Sequence, residues 1–486
     1  MSSMAWLIIV IGSYMLIVMG IGFMGYRKSA GTAEDYYMGG RALGTLVLTG
    51  TSIATYASLW TFLGAVGGNY RMGITFISMM MMWNLLWPLL VWFIGTKVWL
   101  LGKKFKYITY SELINDYYDT KGLGVLAAVF GIMALIPYIA VQLMGGGIVI
   151  ETFTNGQISF AMGVTITFIF MVLIISLAGL KSVVWTDTLQ GLFFLTVLIG
   201  MAVYALMLVG GAGEMFSTLN ANHTKLLIPG TLGIGKWLGF VLTWGLSVFL
   251  PHMFQRLMMA KDPKTIAKVS MISSVLSGFA QTIPVFIIGI CCVILLPGVT
   301  GKETDAMTIL FANKYLSPGV AALVIGGAFA AGTSTLNSQL LTASSLFLKD
   351  LIINPFNLKL TPAKETLMAR LIVIMMGAVV LIIALTRPGL IIPISTAGTA
   401  VCISSYLFPA FGILFWRHAG KLAAYASLIT AGIVALLTWL VWPFPLGIYN
   451  VLWGYIAGGI AFAGCSLFES RANTKRQLEI DQLLEY

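Results

Sequence analysis

Charged side chains are scarce in this sequence. Only 9% of its 486 residues are Asp, Glu, Lys or Arg, whereas 59% are hydrophobic. A water-soluble domain normally carries about 25% charged residues, and its interior is too small to hide so much apolar surface. The composition therefore excludes a soluble globular protein. It predicts an all-α polytopic membrane protein, because a helix satisfies its own backbone hydrogen bonds within lipid.

Cysteine and histidine are also rare, with four and three residues. The cysteines lie in apolar segments, where they are expected to pack as small hydrophobic side chains, so neither a disulfide scaffold nor a metal cluster is predicted. No pairing of nucleophile with base is visible, which argues against an enzyme and against a bound cofactor. The formal net charge of +11 comes from basic residues scattered through short loops, which is not the pattern of a nucleic-acid-binding surface.

Apolar runs long enough to cross a bilayer recur along the whole chain. We count thirteen, centred near residues 15, 57, 87, 137, 169, 199, 244, 284, 334, 377, 402, 431 and 458. The first run has no Lys or Arg before it and no cleavage site of small residues after it. It is therefore predicted to be a retained span and not a signal peptide.

The distribution of basic residues predicts the orientation of these spans. With the N-terminus outside, 22 of the 28 Lys and Arg residues fall in inner loops or in the C-terminal tail. Arg256 is one of the residues assigned to an inner loop. This asymmetry predicts a multi-pass protein of the cell membrane with an outside N-terminus and a cytoplasmic C-terminus. It also leaves no basic residue at the bilayer midplane.

The most polar membrane segment is an uncharged stretch over residues 328–345. Six of its hydroxyls form one polar stripe, with Ser334, Ser338, Thr342 and Ser345 along its centre and Thr333 and Thr335 beside them. Two interpretations are open, because such hydroxyls often bond back to the carbonyl one turn earlier or to a neighbouring helix, but they can also bind a ligand. A second segment, over residues 50–64, mixes hydroxyls with small residues, as expected for a membrane helix unwound around an ion.

Ionisable residues within the predicted spans are few, and each is costly unless it faces protein or water. Asp187 is the strongest candidate for a functional role among them, since it lies near the inner end of a span. Lys181 shortly precedes it. An interfacial salt bridge between the two side chains is therefore an equally open interpretation.

Six segments of the chain, in order, resemble the sodium/solute symporter family, which includes proline, pantothenate, sugar and monocarboxylate permeases. These segments are DYYMGGR at 35–41, the polar span at 50–64, VVWTDTLQG at 183–191, LPHMFQR at 250–256, AAGTSTLNSQLL at 330–341 and PAFGILFWRHAG at 409–420. The resemblance implies a transporter core of five plus five helices in an inverted repeat, near residues 45–416. One extra helix would precede this core and two would follow it.

The resemblance also implies where sodium would bind. In the family the ion lies between the first and the eighth core helix. The matching oxygens here are the carbonyls of Ala54, Ala57 and Ala331 and the hydroxyls of Ser334 and Thr335. Five neutral oxygens suit a hard monovalent cation that must also be released.

The solute-binding residues are implied by their positions on the broken helix and its neighbours. They are Tyr56, Ser58, Thr61, Gln142 and Trp244. The segment around Gln142 is similar to monocarboxylate and pantothenate permeases, and Trp60 stands where sugar-handling members carry a polar residue. By the same comparison, Asp187 matches a family aspartate that is associated with ion exit or coupling.

From these residues we expect a sodium-coupled secondary active symporter that imports a small organic solute, with a monocarboxylate or a pantothenate-like acid favoured. A symporter for an amino acid such as proline or for a sugar is the alternative within this class. A membrane sensor or channel is the alternative from another class. The chain is expected to form one transmembrane domain over residues 1–486 with a cytoplasmic tail at 470–486. Sodium, the solute and membrane lipid are its expected partners, with no nucleic acid and no obligatory protein partner.

Overall fold

The computed structural model describes residues 2–27, 33–177, 180–469 and 474–485. Within these ranges the regular structure is helical, apart from one isolated bridge between Leu43 and Ala260. The first ten helices are α1 Ser3–Arg27, α2 Ala33–Met38, α3 Thr45–Tyr56, α4 Trp60–Met72, α5 Ile74–Phe105, α6 Tyr110–Tyr118, α7 Lys121–Phe153, α8 Phe160–Leu177, α9 Leu180–Leu208 and α10 Ala212–Asn222. The next ten are α11 Ile234–Gly245, α12 Pro251–Leu257, α13 Pro263–Leu295, α14 Met307–Tyr315, α15 Pro318–Phe356, α16 Pro362–Leu385, α17 Ile391–Leu414, α18 Lys421–Leu440, α19 Asn450–Phe468 and α20 Lys475–Leu484.

Ten of the described helices are long and apolar enough to cross a bilayer, and the bent pair of α3 and α4 brings the number to eleven. They account for eleven of the thirteen predicted spans. The other two, near residues 169 and 244, contain the shorter helices α8 and α11. α11 ends at Gly245, and the chain passes through a short 3₁₀ turn before α12 starts at Pro251, which has no N–H with which to continue a helix.

α3 and α4 form one membrane segment that bends by 58°. α3 ends at Tyr56 because Ala57 adopts an extended conformation, with φ −89° and ψ 120°. α4 then begins with a π-helical turn at Trp60–Ala65. All residues from Thr51 to Asn69 are buried, so the unwound backbone is enclosed by protein, as backbone at this depth must be.

α15 lies inside the helix bundle, where every residue from Val324 to Leu346 is buried, whereas much of α1 is exposed. It packs against α3, α7, α9 and α1. A Cβ at Gly332 of α15 would lie 2.5 Å from Leu59 Cδ1, and one at Gly50 of α3 would lie 2.6 Å from Thr188 Oγ1. Glycine therefore allows the hydroxyl-rich face of α15 to lie against the break, and α3 to lie against α9.

The C-terminal helix α20 packs beneath the ends of α5 and α6. Its Thr474 and Gln477 form a capping box, which explains why the helix begins there. Arg476 Nε lies 2.9 Å from Asp116 Oδ2, and Glu479 Oε1 lies 3.1 Å from Lys104 Nζ. These pairs are half-exposed, so each contributes about 0–1 kcal/mol. The mixed charges of the tail thus pair with the α5–α6 region.

Candidate functional site

The five oxygens predicted to bind sodium lie together where α15 crosses the break between α3 and α4. The Ser334 hydroxyl lies 2.7 Å from the carbonyl oxygen of Ala54 and 3.0 Å from that of Ala331. Thr335 Oγ1 lies 3.2 Å from the same two carbonyl oxygens and 3.4 Å from that of Ala57. All five residues are buried and none is charged.

The carbonyl groups at the break are available because the amides that would bond to them in a helix have other partners. In a continuous helix each N–H donates to the carbonyl four residues earlier. Here Ser58 N donates to Thr61 Oγ1 at 3.4 Å, and Thr61 N donates to the Ser58 carbonyl at 2.9 Å. Leu59 N donates to Gln142 Oε1 at 3.1 Å, and Trp60 N donates to Ser58 Oγ at 3.0 Å. Three predicted solute-binding residues therefore stabilise the break that exposes the carbonyls.

Oxygens at this spacing match the shell of one small cation. Ca²⁺, whose radius Na⁺ closely matches, takes oxygen ligands at about 2.3–2.6 Å, which places neighbouring ligands roughly 3.3–3.7 Å apart. The separations of 2.7–3.4 Å seen here require only small outward movements to admit such an ion. The carbonyl of Thr55, which was not predicted, also lies 3.2 Å from Thr335 Oγ1 and adds a sixth oxygen within reach.

The rest of the hydroxyl stripe divides between the two interpretations. Thr342 Oγ1 donates to the Ser338 carbonyl at 2.9 Å, and Ser345 Oγ donates to the Thr342 carbonyl at 2.8 Å. Both hydroxyls therefore have an acceptor within α15, and Thr342 Oγ1 also lies 3.0 Å from Gln255 Oε1 of α12. Ser338 Oγ instead accepts from Arg256 Nη2 at 2.6 Å. The stripe indicates a polar face, but neighbouring helices decide which of its hydroxyls lie at a site.

A buried ion pair lies within one helical turn of the predicted sodium oxygens. Asp187 Oδ2 accepts from the Thr51 hydroxyl at 2.6 Å and lies 3.8 Å from Arg256 Nη2. The same guanidinium donates to the hydroxyls of Thr55 and Ser338, which belong to the two helices that carry the predicted sodium oxygens. Because the carboxylate offsets the guanidinium, the pair adds little net charge beside a cation site.

The prediction that Arg256 belongs to an inner loop is wrong. Its side chain is 5% exposed and lies within the helix bundle, next to the predicted sodium oxygens. A count of basic residues near span ends does not distinguish an arginine that points into the protein from one in a loop. The Lys181 side chain lies outside the described residues. A salt bridge between Lys181 and Asp187 therefore stays an open interpretation.

The five predicted solute-binding residues are buried, and two of them, Tyr56 and Trp244, pack against aromatic rings near the break. The Trp60 ring lies 5.0 Å from the Trp244 ring and 5.7 Å from that of Trp83. The Tyr56 ring stacks on Trp87 at 5.2 Å. The structure therefore brings Tyr56 and Trp244 to aromatic surfaces, whereas the polar candidates are bonded around the break.

Gln281 lies beside the break, although it was not among the predicted site residues. It ends a π-helical turn in α13 at Leu276–Gln281, and its Nε2 donates to Thr61 Oγ1 at 3.1 Å. Its Oε1 is buried without a hydrogen-bond partner. π-Helical turns occur frequently at functional sites but have no compositional signature. A single glutamine in an apolar run therefore did not indicate a functional site.

Comparison with known proteins identifies the family. A family profile described as sodium:solute symporter family matches residues 36–431. This chain belongs to the sodium:solute symporter family. It is therefore a sodium-coupled solute symporter of the membrane and not an enzyme, which confirms the expectation from the six ordered segments.

Relatives with named solutes match over most of the chain. The sodium/pantothenate symporter of Escherichia coli is 26% identical over 431 residues, covering 87% of this chain and 88% of that protein. That of Haemophilus influenzae is 27% identical and covers 97% and 98%. The osmoregulated proline transporter OpuE of Bacillus subtilis is 24% identical and covers 96% and 95%.

A solved transporter shares the fold. It is a Na⁺-coupled sialic acid symporter in a substrate-bound, outward-open state, which superposes with a TM-score of 0.81. The alignment covers 95% of this chain and 96% of that one, at 19% sequence identity. At this identity the likeness establishes the fold alone.

Proposed function

We propose that this symporter couples the inward flow of sodium to the uptake of a small organic acid, with a monocarboxylate or a pantothenate-like acid favoured. The observation that carries the solute assignment is a group of buried donors beside the break. Among the described residues, the indole N–H groups of Trp60 and Trp87 and the hydroxyl of Tyr56 have no hydrogen-bond partner. A carboxylate supplies acceptors to such donors, and buried polar groups are costly when left unpaired.

The aromatic surface favours a short, partly apolar solute over a polyhydroxylated one. Each sugar hydroxyl left unpaired against the rings of Trp60 and Trp244 would cost about 1–3 kcal/mol. The names of the two pantothenate symporters support an organic acid. The named proline transporter among the relatives keeps proline as the second candidate.

We assign sodium to the carbonyls of Ala54, Ala57 and Ala331 and the hydroxyls of Ser334 and Thr335. The short distances between these oxygens support this assignment. All three carbonyl oxygens lie within 3.4 Å of Thr335 Oγ1, and those of Ala54 and Ala331 lie within 3.0 Å of Ser334 Oγ. A site without carboxylates binds the ion weakly enough to release it in each cycle.

We give Asp187 a role in coupling or in sodium exit. Its contact with Thr51 on α3 and its pairing with Arg256, which reaches α15, support this role. Both helices carry oxygens of the proposed sodium site. A movement of the ion pair would therefore alter the contacts of both α3 and α15, the two helices on either side of that site.

The element order supports the five-plus-five arrangement within residues 45–416. Each set of five opens with an interrupted segment, α3–α4 in the first and α11–α12 in the second. Interrupted segments at corresponding places in two halves are the mark of a midplane binding site. α1 then precedes the core, and α18 and α19 follow it.

The remaining features of the proposal concern location and partners. We place the protein in the plasma membrane, with its N-terminus outside the cell and residues 470–486 in the cytoplasm. The asymmetric distribution of basic residues supports this orientation. Lipid is the expected surrounding. Neither a nucleic acid nor an obligatory protein partner is proposed.

Solute competition tests the solute class directly. In proteoliposomes with an inward sodium gradient, we expect lactate, pyruvate, propionate or pantothenate to inhibit uptake of a labelled organic acid. Glucose and proline should inhibit only at higher concentrations. Glucose would leave hydroxyl groups unpaired, and proline is not a partly apolar anion. Stronger inhibition by glucose or proline would overturn the organic acid and leave sodium symport in place.

The unpartnered indole of Trp60 provides a second test. Trp60→Phe keeps an aromatic ring but removes the N–H, so the acid concentration for half-maximal uptake should rise about fivefold, as for one lost hydrogen bond. The sodium midpoint should not change. Trp99→Phe is the matched control, since the Trp99 indole donates to the Ala260 carbonyl far from the break. Gln142→Ala is a poorer test because Gln142 also holds Leu59 N. Equal effects of the two tryptophan variants on acid affinity would refute a solute contact at Trp60.

A further inference from the structure

Tyr14 of α1 places a hydroxyl in the protein interior although most of α1 faces outward. The residue is 9% exposed, whereas Leu16 and Ile17, two and three residues later, are 75% and 53% exposed. Its ring stacks on Phe170 of α8 with centroids 5.8 Å apart. Close packing of α1 on α15 is aided by Gly326, where a Cβ would lie 2.9 Å from a methyl of Val10.

The Tyr14 hydroxyl belongs to a three-residue hydrogen-bond cluster between α1, α9 and α15. It lies 2.5 Å from Thr333 Oγ1, and it accepts from Gln190 Nε2. The same Gln190 nitrogen lies 3.0 Å from Thr333 Oγ1. All three side chains are buried.

The directions of these bonds follow from the number of protons available. The Thr333 hydroxyl donates to the Phe329 carbonyl at 2.8 Å, which uses its single proton. It must therefore accept from the Tyr14 hydroxyl and from the Gln190 amide. Of these two partners of Thr333, Tyr14 belongs to α1 and Gln190 to α9. The Tyr14 hydroxyl therefore joins α1 to the backbone of α15 through Thr333.

Thr333 directly precedes Ser334, one of the proposed sodium ligands. Successive residues of a helix point about 100° apart, so one hydroxyl faces α1 and α9 while the next faces α3. Gln190 also follows Asp187 on α9 by three residues, and Asp187 holds Thr51 of α3. The cluster thus joins α1 and α9 to the turn of α15 that carries Ser334, and Asp187 of the same α9 contacts α3.

We propose that Tyr14 is a positioning residue for the sodium site: its hydroxyl, through Thr333, fixes the turn of α15 that presents Ser334 and Thr335 to the broken helix. This inference rests on the sodium site proposed above. Ligand oxygens that are held in place before the ion arrives lose less entropy on binding, so removal of the hydroxyl weakens sodium binding. α1, which lies outside the proposed ten-helix core, therefore acts on the ion site.

Sodium binding is measured on the purified full-length protein without a solute, by the rise in thermal unfolding temperature as sodium chloride replaces potassium chloride at constant ionic strength. We expect Tyr14→Phe and Thr333→Val each to raise the sodium concentration for half-maximal stabilisation about fivefold. The double variant should be close to the poorer single variant, because each single change already removes the Tyr14–Thr333 hydrogen bond. Thr333→Ser should restore the midpoint.

Tyr425→Phe is the matched control, because it removes a tyrosine hydroxyl that lies 2.8 Å from Thr120 Oγ1, away from α15. Its sodium midpoint should not change. A Tyr14→Phe protein that melts earlier but has the wild-type sodium midpoint would overturn the inference. Ser334→Ala separates the two proposals. If the sodium midpoint shifts in Ser334→Ala but not in Tyr14→Phe, the proposed sodium site stands and the role of Tyr14 is refuted. No shift in Ser334→Ala refutes the site itself.

Discussion

Replacing Ser334 and Thr335 together by alanine is expected to raise the sodium concentration for half-maximal uptake at least tenfold. The change removes two of the five proposed ligand oxygens. Each lost contact to the ion costs roughly 1 kcal/mol or more, and 1.4 kcal/mol corresponds to a tenfold change in affinity. Uptake of a labelled acid is measured against sodium concentration in proteoliposomes, with protein amount in the membrane as the reference.

The control for this variant comes from the same helix. Ser344 donates to the Ala369 carbonyl at 2.9 Å, and Ser345 donates back to Thr342. The Ser344→Ala/Ser345→Ala variant therefore removes two buried hydroxyls of α15 that lie about three turns along the helix from Ser334 and Thr335. Its sodium midpoint should equal that of the wild type. An unchanged sodium dependence in the Ser334/Thr335 variant would show that the ion binds elsewhere.

Neutralising one partner of the Asp187–Arg256 pair is expected to reduce sodium-driven turnover more than tenfold. Removing one charge leaves the other buried without compensation, which typically costs about 3–5 kcal/mol. In Asp187→Asn the amide still offers an oxygen to Thr51, but Arg256 keeps its charge next to the proposed sodium site. We expect slowed or uncoupled sodium release, with little change in solute affinity from the outer side. Initial uptake rates and competition by unlabelled acid measure these two quantities.

The double variant Asp187→Asn/Arg256→Gln separates a coupling role from simple charge pairing. Loss of both charges removes the uncompensated one, so uptake should recover if the pair only stabilises the bundle. Our proposal expects turnover to stay low while sodium binding measured by thermal stabilisation returns toward normal. Glu365→Gln is the matched control, since Glu365 pairs with Lys349 at 2.6 Å on another part of α15 and α16. Normal turnover in Asp187→Asn would remove Asp187 from the mechanism.

Much of the fold was predictable from local sequence. Long apolar runs mark spans because the bilayer requires about twenty apolar residues of helix, and eleven of thirteen such predictions correspond to spans or to the bent pair. The sequence also marked the break at residues 50–64, since small and hydroxyl residues interrupt an apolar segment there. The second interruption, before Pro251, was merged into one span because hydropathy averages over a short break.

The proposed sodium oxygens were predictable only as far as the family motifs allowed. Ser334 and Thr335 are visible in sequence, but backbone carbonyls look alike in every residue. The carbonyls of Ala54 and Ala57 are open to a ligand because the amides that would bond them in a helix, Ser58 N and Thr61 N, donate instead to Thr61 Oγ1 and to the Ser58 carbonyl. Gln142, far along the chain, likewise binds Leu59 N and leaves the Thr55 carbonyl open. Such an exchange of partners is a property of packing and has no local signature.

Sequence by itself determined the class of this protein: its scarcity of charge requires lipid around it, its basic residues suggest an orientation, and its ordered motifs match a sodium symporter family. Tertiary structure alone decided which polar groups meet. It moved Arg256 from a presumed loop to the side of Asp187, brought Gln281 to Thr61, and joined Tyr14 to Thr333. The physical reason is that a buried polar side chain must find its partner on whichever helix lies next to it, and that neighbour is set by packing between residues distant in sequence.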